Sequence, residues 1–562
     1  MSDSSDDPMS PRAAEGSVSR RLALFVLGLL VVAGFALRVD QFRFALPHVL
    51  YSDYIQVPQA AQFLRDGFFV ERSSYPATHT WAYVVADLVT YGVDRVLGLG
   101  HWPDWNAFVR ELQSEKLQHT IARAYTAGIG SLLALGVYLM ARVRFPRGTA
   151  LLAAAIAAVS PALVIYSHQA RIHVPGITLL AFAAVPMLHL LLLPPAPRGA
   201  WKLALLTGLA IGIVASVFQL GFVLLLCCGL AMACLVRPWP RLLRDSAVIL
   251  GGFALAFLAL SNASRWPGIV GDAPGDSMLK DAATLGIPAS FLRMGFAHHF
   301  PRFVSGFVLS EPVSAAAAVL FAWACWRGRH RWRDAIAFGS YPVVLLLLLG
   351  TNYENVRYSM SAVVFTAVFA AAGALSLRGR VPRAALAALL VVAPLASSVR
   401  FDLLLRRTDT RLAVDSLLCE MRGDNASIAV ESALALDPSK LPKAVSEYPP
   451  RGDFKPWTTQ GVPPRTTLSE LHPSLFVRRR GEMGMGFLRD GVLEAMGFWR
   501  CAIVDTGATG STCLPDAPQA LCLDIWRARR PGPSIEFWAR TPESATFMLR
   551  HARDNGLVAM AR

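Results

Sequence analysis

Twelve long apolar runs constrain this chain more than any other feature of its sequence. The first extends from Leu22 to Leu37, and the others follow at about 76–99, 121–141, 149–166, 175–193, 202–217, 220–236, 246–262, 303–326, 335–350, 360–377 and 384–398. A helix that crosses a bilayer needs about 20 mostly apolar residues. A soluble core cannot bury so many runs of this length. The pattern therefore predicts a polytopic α-helical membrane protein.

The composition supports this interpretation. Apolar residue types make up 54% of the 562 residues and charged types 17%, whereas soluble domains have about 45–50% and about 25%. These values argue against a soluble globular protein and against a disordered chain. The formal charge of +15 is explained by arginine in cytoplasmic loops, so we expect no nucleic-acid partner.

Arginine clusters predict the orientation of the runs. They lie at the ends of the apolar runs, at Arg20 and Arg21, at 142–147, 198–202, 237–244, 327–333 and 378–383. Cytoplasmic loops of membrane proteins carry an excess of Lys and Arg, so we place all of these clusters in the cytoplasm. The external segments are then 38–75, 167–174, 263–302, 351–359 and everything after about 399.

The number of crossings between two arginine clusters predicts that one apolar run does not cross the membrane. The first run leaves the cytoplasm and the cluster at 142–147 lies in it, so an odd number of crossings separates them. Two runs lie between, and the one at 76–99 contains His79, Asp87, Asp94 and Arg95. Charged residues inside lipid are expensive. We therefore predict a juxtamembrane or re-entrant helix at 76–99, and about eleven transmembrane helices with the N-terminus inside and the C-terminus outside.

Three regions follow from this topology. Residues 1–19 are rich in Ser, Asp and Pro and are expected to be a disordered cytoplasmic tail. Residues 20–398 form the transmembrane domain, whose external loop 38–120 contains juxtamembrane helices. Residues 399–562 form an external α/β domain, with short strands predicted at 427–434, 501–505 and 534–539. Its four cysteines predict at least one disulfide, with the pairing left open: Cys419, Cys501, Cys513 and Cys522.

The external loops contain many polar side chains at membrane level. The first contains Asp53 and Tyr75, the second contains Arg171 and His173, the third contains His299, and the fourth contains Arg357 and Tyr358. A single loop residue of this kind is usually only solvated. Because the topology places all four loops on one face, carboxylates, imidazoles and guanidinium groups together indicate a cavity for a charged substrate.

Several short motifs resemble a known family. The first external loop contains four of them, in the order Asp53-Tyr54-Ile55, Gln62-Phe63-Leu64, Gly67-Phe68 and Tyr75-Pro76. This order is similar to the first external loop of GT-C glycosyltransferases, especially the protein-O-mannosyltransferase and aminoarabinose-transferase group. Further resemblance lies at 122–142, at 157–168 and at 355–358. Each motif is short, but their order and sidedness agree over most of the chain. The resemblance implies a GT-C-like fold.

The resemblance also implies a reaction and its residues. A sugar would move from a polyprenyl-phosphate donor to a hydroxyl, with inversion at the anomeric carbon. Asp53 would be the general base, a role that typically contributes ~10²–10⁴-fold. Arg357 and Arg171 would stabilise the leaving phosphate. Further substrate-binding residues would be His173, Tyr358, Tyr75 and His299. A structural role for His173 is equally compatible with the sequence.

Two departures from the family pattern affect the expected chemistry. His173 stands where many relatives carry a second acidic residue before Val-Pro, and Tyr54 follows Asp53 where relatives often have another acid. We therefore expect no metal site and no required cofactor, although magnesium or manganese could still bind with substrate phosphate. The expected partners are a polyprenyl-phosphate-linked sugar donor, a lipid, glycan or protein acceptor, and membrane lipids.

Two alternatives remain open at the sequence level. A transporter or polymerase of lipid-linked saccharides would share the spans and arginines, but would need no first-loop base. A membrane scaffold that displays its C-terminal domain would not explain the polar loops. The richness in Ala, Arg and Leu suggests a bacterial inner membrane, which would make the external side periplasmic.

Overall fold

The computed structural model describes residues 18–44, 46, 56–67, 77–192, 199–236, 238–261, 304–305, 307–327, 332–350, 359–420, 427–431, 445–448, 473–479, 490–504, 522–530, 534–554 and 559–560. The chain divides into two compact units. The first comprises Met1–Arg43 and Asp53–Val399, and the second comprises Phe44–Ser52 and Arg400–Arg562.

Helices make up the described part of the first unit. In chain order they are α1 Arg20–Val39, α2 Gln56–Asp66, α3 Ala77–Leu97, α4 Trp105–Leu112, α5 Glu115–Ser131, α6 Leu133–Arg142, α7 Arg147–Val159, α8 Pro161–Ser167, α9 His173–Leu192, α10 Ala200–Val217, α11 Leu220–Leu235, α12 Trp239–Ser261, α13 Pro312–Arg327, α14 Trp332–Gly350, α15 Met360–Ser376 and α16 Arg380–Leu405, which continues past Val399 into the second unit.

Six helical segments of the described residues are long and apolar enough to cross a membrane. They are Arg20–Val39, Glu115–Arg142, His173–Leu192, Ala200–Val217, Trp239–Ser261 and Arg380–Leu418, and the bent pair α7–α8 makes a seventh. Shorter apolar helices occur at Leu220–Leu235, Pro312–Trp323 and Met360–Ser376. The chain is thus a mostly helical membrane protein, and the number of eleven crossings stays a prediction.

Local sequence explains where several of these helices begin. Ser19 caps α1 by accepting from the backbone N–H of Leu22 at 3.2 Å. Asp104 caps α4 in the same way, at 2.7 Å from Ala107 N. Between α7 and α8 the chain bends by 49°, where Pro161 supplies no N–H and so interrupts the helical hydrogen bonds. This bend directs the short helix α8.

The second unit contains a six-stranded sheet. Its strands are β1 Ile428–Glu431, β2 Val445–Tyr448, β3 Leu475–Arg479, β4 Trp499–Val504, β5 Ile535–Ala539 and β6 Ala559–Met560. Their order is β2-β1-β3-β5-β4-β6. β1 is parallel to both β2 and β3, whereas the other pairs are antiparallel. The sheet is therefore mixed.

Helices cover both faces of this sheet. The remaining helices are α17 Thr410–Glu420, α18 Asp490–Ala495, α19 Cys522–Arg527 and α20 Pro542–Asp554. One face packs Val477 and Phe537 against Leu417 of α17 and Met548 of α20. The other face packs Phe476 and Trp538 against Leu493 of α18. Apolar residues on alternating positions of the strands thus fill two cores.

Cys501 takes no part in the predicted disulfide, and at least one disulfide among the four cysteines stays a prediction. Cys501 is a free thiol in the first of these cores, and its Sγ lies 3.3 Å from the carbonyl oxygen of Phe537. A disulfide through Cys501 is therefore not formed. The side chains of Cys419, Cys513 and Cys522 lie outside the described residues.

Candidate functional site

The loop between α8 and α9 is almost completely buried within the first unit. His168 and Gln169 are 0% exposed, and Arg171 is 4% exposed. Most loops run over the surface, because their backbone polar groups need water or other partners. A buried loop that carries an arginine is therefore unusual and is a candidate for a functional role. The arginine is Arg171, one of the predicted site residues.

Arg38, at the end of α1, connects this loop to the rest of the unit. Its side chain is 0% exposed. Nε donates to Ser167 Oγ at 3.1 Å, and Nη1 donates to the carbonyl oxygens of Gly34 and Ala158 at 2.8 and 2.9 Å. Because the planar guanidinium holds its donors in a fixed arrangement, Arg38 fixes α1, α7 and α8 relative to one another.

Two further side chains hold the residues that follow α1. One ring nitrogen of His168 lies 2.7 Å from the carbonyl oxygen of Asp40. Arg123 of α5 donates to the carbonyl oxygen of Phe42 at 3.0 Å. Burial lowers the pKa of His168, and the positive charges of Arg123 and Arg38 act in the same direction. The chain segment that leads toward Asp53 thus begins in a region of buried positive charge.

Helix α2 packs against the same loop. Val57 and Ala60 of α2 share a buried apolar cluster with Ala170 of the loop, together with Tyr83 and Ala122. Val57 is 3% exposed and Ala60 is 0% exposed. In the sequence, α2 begins three residues after Asp53. The packing therefore brings the helix that follows the predicted base against the residue that precedes Arg171.

Two residues of α3 extend this region. A ring nitrogen of His79 lies 3.0 Å from the Tyr83 hydroxyl, and burial lowers the pKa of His79 to about 3. Burial also raises the pKa of Tyr83 well above its ordinary value, while the positive charge of Arg171 acts in the opposite direction. At neutral pH both groups are uncharged, so this pair adds hydrogen-bonding groups and no charge.

His173 lies at the start of α9 among aromatic rings. Its ring centroid is 6.2 Å from that of Tyr166 and 5.7 Å from that of Phe218. Gly176 permits this approach, because a Cβ at that position would lie 2.6 Å from the Phe218 side chain. The side chain is 2% exposed. These contacts agree with the structural role that the sequence left open for His173.

The structure places only part of the predicted site. Arg171 and His173 are described and lie in one buried region, separated by Ile172. Five other predicted site residues lie outside the described residues: Asp53, Tyr75, His299, Arg357 and Tyr358. Their roles remain predictions.

Sequence reasoning assigned no role to three of the buried charged residues. Arg38, Arg123 and Glu311 are exposed by 0%, 1% and 2%, respectively. Their positions in the sequence could have identified them, because each lies in or beside an apolar helix. An ionisable residue at such a position usually marks a functional site. Arg38 follows the first apolar run directly, and Glu311 lies inside the run at 303–326.

Within the described residues, no group of three or more His, Cys, Asp or Glu side chains could hold a metal ion. The buried side chains Arg38, Arg123 and Arg171 supply positive charge to this region. Arginine is suited to phosphate because its planar donors bind two oxygens at once.

Comparison with known proteins identifies the family to which this arrangement is similar. Residues 58–262 match the sequence model of the family described as dolichyl-phosphate-mannose-protein mannosyltransferase. The predicted resemblance to this GT-C group is confirmed. The matched residues include α3 through α12 and the buried loop. No curated protein matches the chain in sequence.

Several solved GT-C structures resemble the chain at low identity. The Archaeoglobus fulgidus oligosaccharyltransferase in its apo form is 14% identical over 72% of this chain, with a TM-score of 0.48. The chain covers 59% of the length of that protein. ArnT from Cupriavidus metallidurans bound to undecaprenyl phosphate is also 14% identical, with 92% of this chain and 98% of ArnT covered and a TM-score of 0.45.

A third structure is the Saccharomyces cerevisiae protein O-mannosyltransferase Pmt1-Pmt2 complex bound to the sugar donor. It is 16% identical, with 47% of this chain and 36% of that chain covered and a TM-score of 0.34. The apolar helices and the family match indicate an integral membrane protein, and residues 58–262 are similar to the mannosyltransferase family.

Proposed function

We propose that the chain transfers a sugar from a polyprenyl-phosphate donor to a hydroxyl acceptor, with inversion, on the external face of a bacterial inner membrane. The observation that carries this proposal is the family match over residues 58–262, because these residues contain the buried loop with Arg171. A lipid-linked donor also explains why the reaction belongs at a membrane. The ArnT structure named above holds undecaprenyl phosphate, which supports a donor of this class.

The proposed roles follow from the chemistry of the transfer. A hydroxyl is a poor nucleophile at neutral pH, so a carboxylate must accept its proton, and Asp53 has this role. The departing lipid phosphate carries negative charge, and Arg171 and Arg357 stabilise it. Tyr75, His299 and Tyr358 bind substrate, whereas the aromatic contacts of His173 fit a structural role. The acceptor is a lipid, glycan or protein, and the second unit lies in the periplasm.

The surroundings of Arg171 support its role. Its side chain is 4% exposed, and electrostatic interactions act more strongly where water is excluded. The adjacent Ala170 packs against α2 and α3, so the backbone on this side of Arg171 is fixed. A guanidinium carried by a fixed, buried backbone needs little rearrangement to stabilise developing charge.

The test is transfer by the purified protein in liposomes. Polyprenyl phosphates bearing different radiolabelled hexoses and pentoses are supplied with a membrane extract as the acceptor source. We expect labelled product and free polyprenyl phosphate to appear in equal amounts. If labelled donor changes leaflet intact, or if saccharide chains lengthen on the lipid, the protein is a transporter or a polymerase and the proposal is wrong.

A further inference from the structure

The break between α7 and α8 is a meeting point of several parts of the first unit. Pro161 begins α8 and has no N–H, so a helical hydrogen bond is lost at this position. The last carbonyl oxygens of α7 and the first N–H groups of α8 then need partners from elsewhere, since unsatisfied buried backbone groups are costly. The structure provides these partners from three separate segments.

The carbonyl side of the break is bound by two other helices. Arg38 Nη1 of α1 donates to Ala158 O at 2.9 Å. Ser398 Oγ of α16 donates to Val159 O at 2.8 Å, and Ser398 is 0% exposed. Both carbonyl oxygens thus accept from side chains far away in the sequence. The bend is therefore fixed by its surroundings.

The other side of the break is bound by Glu311, which directly precedes α13. The hydroxyl of Ser160 donates to the Glu311 carboxylate, and the backbone N–H of Ala162 also donates to it. Ser160 Oγ in turn accepts from the N–H of Leu163 at 3.4 Å. The carboxylate is 2% exposed. A buried carboxylate within an apolar run is retained only where such donors compensate its loss of water.

We propose that Glu311 is a positioning residue for the buried loop and hence for Arg171, an inference that rests on the proposed function. Helix α8 has only seven residues, so the orientation of its first turn determines where its end lies. That end carries Ser167, which is bound by Arg38. Glu311 at the start of α8 and Arg38 at its end therefore hold the short helix at both ends.

Thiol labelling tests this proposal without any activity measurement. Ala170→Cys is introduced in the loop, where the native side chain is 4% exposed, and Ala153→Cys in α7, where it is 0% exposed. Each reporter is combined with wild-type Glu311, Glu311→Gln or Glu311→Ala. A maleimide reagent is added, and modification is localised by peptide mass spectrometry so that the native cysteines stay in place.

In Glu311→Ala we expect position 170 to react at least about tenfold faster than in wild type, because the loop opens locally. Position 153 should stay protected, which excludes general unfolding. Glu311→Gln retains groups that can bind Ser160 and Ala162 N, so it should protect position 170. If position 170 stays protected in Glu311→Ala, or if both positions react alike, Glu311 does not position the loop.

Sugar transfer by the same variants supplies the functional test. Glu311→Ala should lower the turnover by at least about tenfold, since small misplacements of a substrate-positioning group have large effects, and Glu311→Gln should restore it. In an Arg171→Ala background, Glu311→Ala should cause little further loss, because both changes act through the same group. An additive loss would overturn the proposal. If the wild-type protein transfers no sugar, the proposed function fails, whereas the labelling result still decides the role of Glu311.

Discussion

Arg38 Nε donates to Ser167 Oγ at 3.1 Å, although the two residues are 129 positions apart in the sequence. The same guanidinium also binds carbonyl oxygens of α1 and α7 through Nη1. One side chain thus connects the end of the first predicted span to both sides of the α7–α8 bend. These contacts explain how a buried arginine stays in an apolar region, since Nη1 donates to two backbone carbonyl oxygens and Nε to a side-chain hydroxyl.

Arg38→Lys tests this connection. A lysine ammonium cannot reproduce the spacing of Nε and Nη1, so buried acceptors lose their partner. We expect the free energy of unfolding to fall by about 1–3 kcal/mol and sugar transfer to fall with it. Thermal unfolding in detergent provides the measurement. Arg43→Lys, at an exposed position nearby, is the control and should be unchanged; equal behaviour of the two variants would contradict the assigned role.

Helix α3 should lie on the external side without crossing the membrane. Near its start, Thr78 Oγ1 donates to Leu260 O at the end of α12. Farther along, Tyr91 packs in a cluster with Leu117 and Ile121 near the start of α5. The arginine pattern places both of these helix ends outside. An apolar exposed stripe on α3 also suits contact with acyl chains: Val85, Leu88, Val89, Val93 and Val96.

Cysteine labelling of intact membranes checks this topology. His101→Cys follows α3 and Lys116→Cys lies in α5, both at exposed positions. Both should react with an impermeant reagent from the external side, whereas Arg380→Cys, in a predicted cytoplasmic cluster, should react only after the membrane is opened. If positions 101 and 116 were protected from the external reagent and reactive from the cytoplasm, the prediction that α3 does not cross the membrane would be wrong.

The helices were predictable from the sequence because span length and hydrophobicity are local properties. Each of the eleven apolar runs that we expect to cross overlaps a helix or a pair of consecutive helices, for example 149–166 with α7 and α8. Strands β1, β4 and β5 also overlap the three predicted strands. The pairing of the strands was not predictable, because the order β2-β1-β3-β5-β4-β6 depends on contacts distant in sequence.

The candidate site was predictable only in part, for the same reason. Arg171 and His173 stand out because they are polar residues in a short segment between two apolar runs. Arg38 instead looks like an ordinary span boundary, since its partner Ser167 is far away in the sequence. Glu311 and Ser160 are 151 positions apart. No local pattern indicates that these residues meet at a helix break.

The pair Asp94 and His101 should contribute a pH-dependent part of the stability. Asp94 Oδ1 accepts from the backbone N and from Nδ1 of His101, at 3.1 and 2.8 Å. Burial raises the pKa of Asp94, but these hydrogen bonds, together with one from the Trp102 backbone, outweigh burial and hold the pKa below its ordinary value. A carboxyl whose folded pKa is lowered stabilises the fold at higher pH.

The sign of the effect fixes the pH window. The contribution is complete above the ordinary Asp pKa of about 3.9 and is lost as the pH falls through the lower folded value. Thermal unfolding of wild type and Asp94→Asn between about pH 3 and pH 7 provides the comparison. The stability advantage of wild type should be constant near neutrality and shrink in acid. A constant difference over the whole range would show that the Asp94 charge does not contribute.

Sugar transfer should proceed without a divalent cation. The sequence resemblance implies an acidic residue at the position of His173, and arginine can stabilise the leaving phosphate without a metal. Activity should therefore persist in excess chelator. Activity that disappears in chelator and returns on addition of magnesium or manganese would show that a cation is required, with the substrate phosphate as one of its ligands.

Asp53→Asn is the sharpest test of the proposed chemistry. Asp53 lies shortly before α2, and an aspartate at such a position could simply cap a helix, a role worth about 1 kcal/mol that asparagine fulfils equally well. Asparagine cannot accept the acceptor's proton. If Asp53 is the base, the variant should fold and bind donor lipid normally, while its turnover falls by ~10² or more.

Asp66→Asn provides the matched control for this substitution. Asp66 is an exposed aspartate at the other end of the same helix, bound by the neighbouring Arg65, and its replacement should leave transfer unchanged. Both variants are compared with wild type for thermal unfolding, donor binding and turnover. If Asp53→Asn is well folded and transfers sugar at the rate of the Asp66→Asn protein, Asp53 is not the base. Another group would then have to accept the proton.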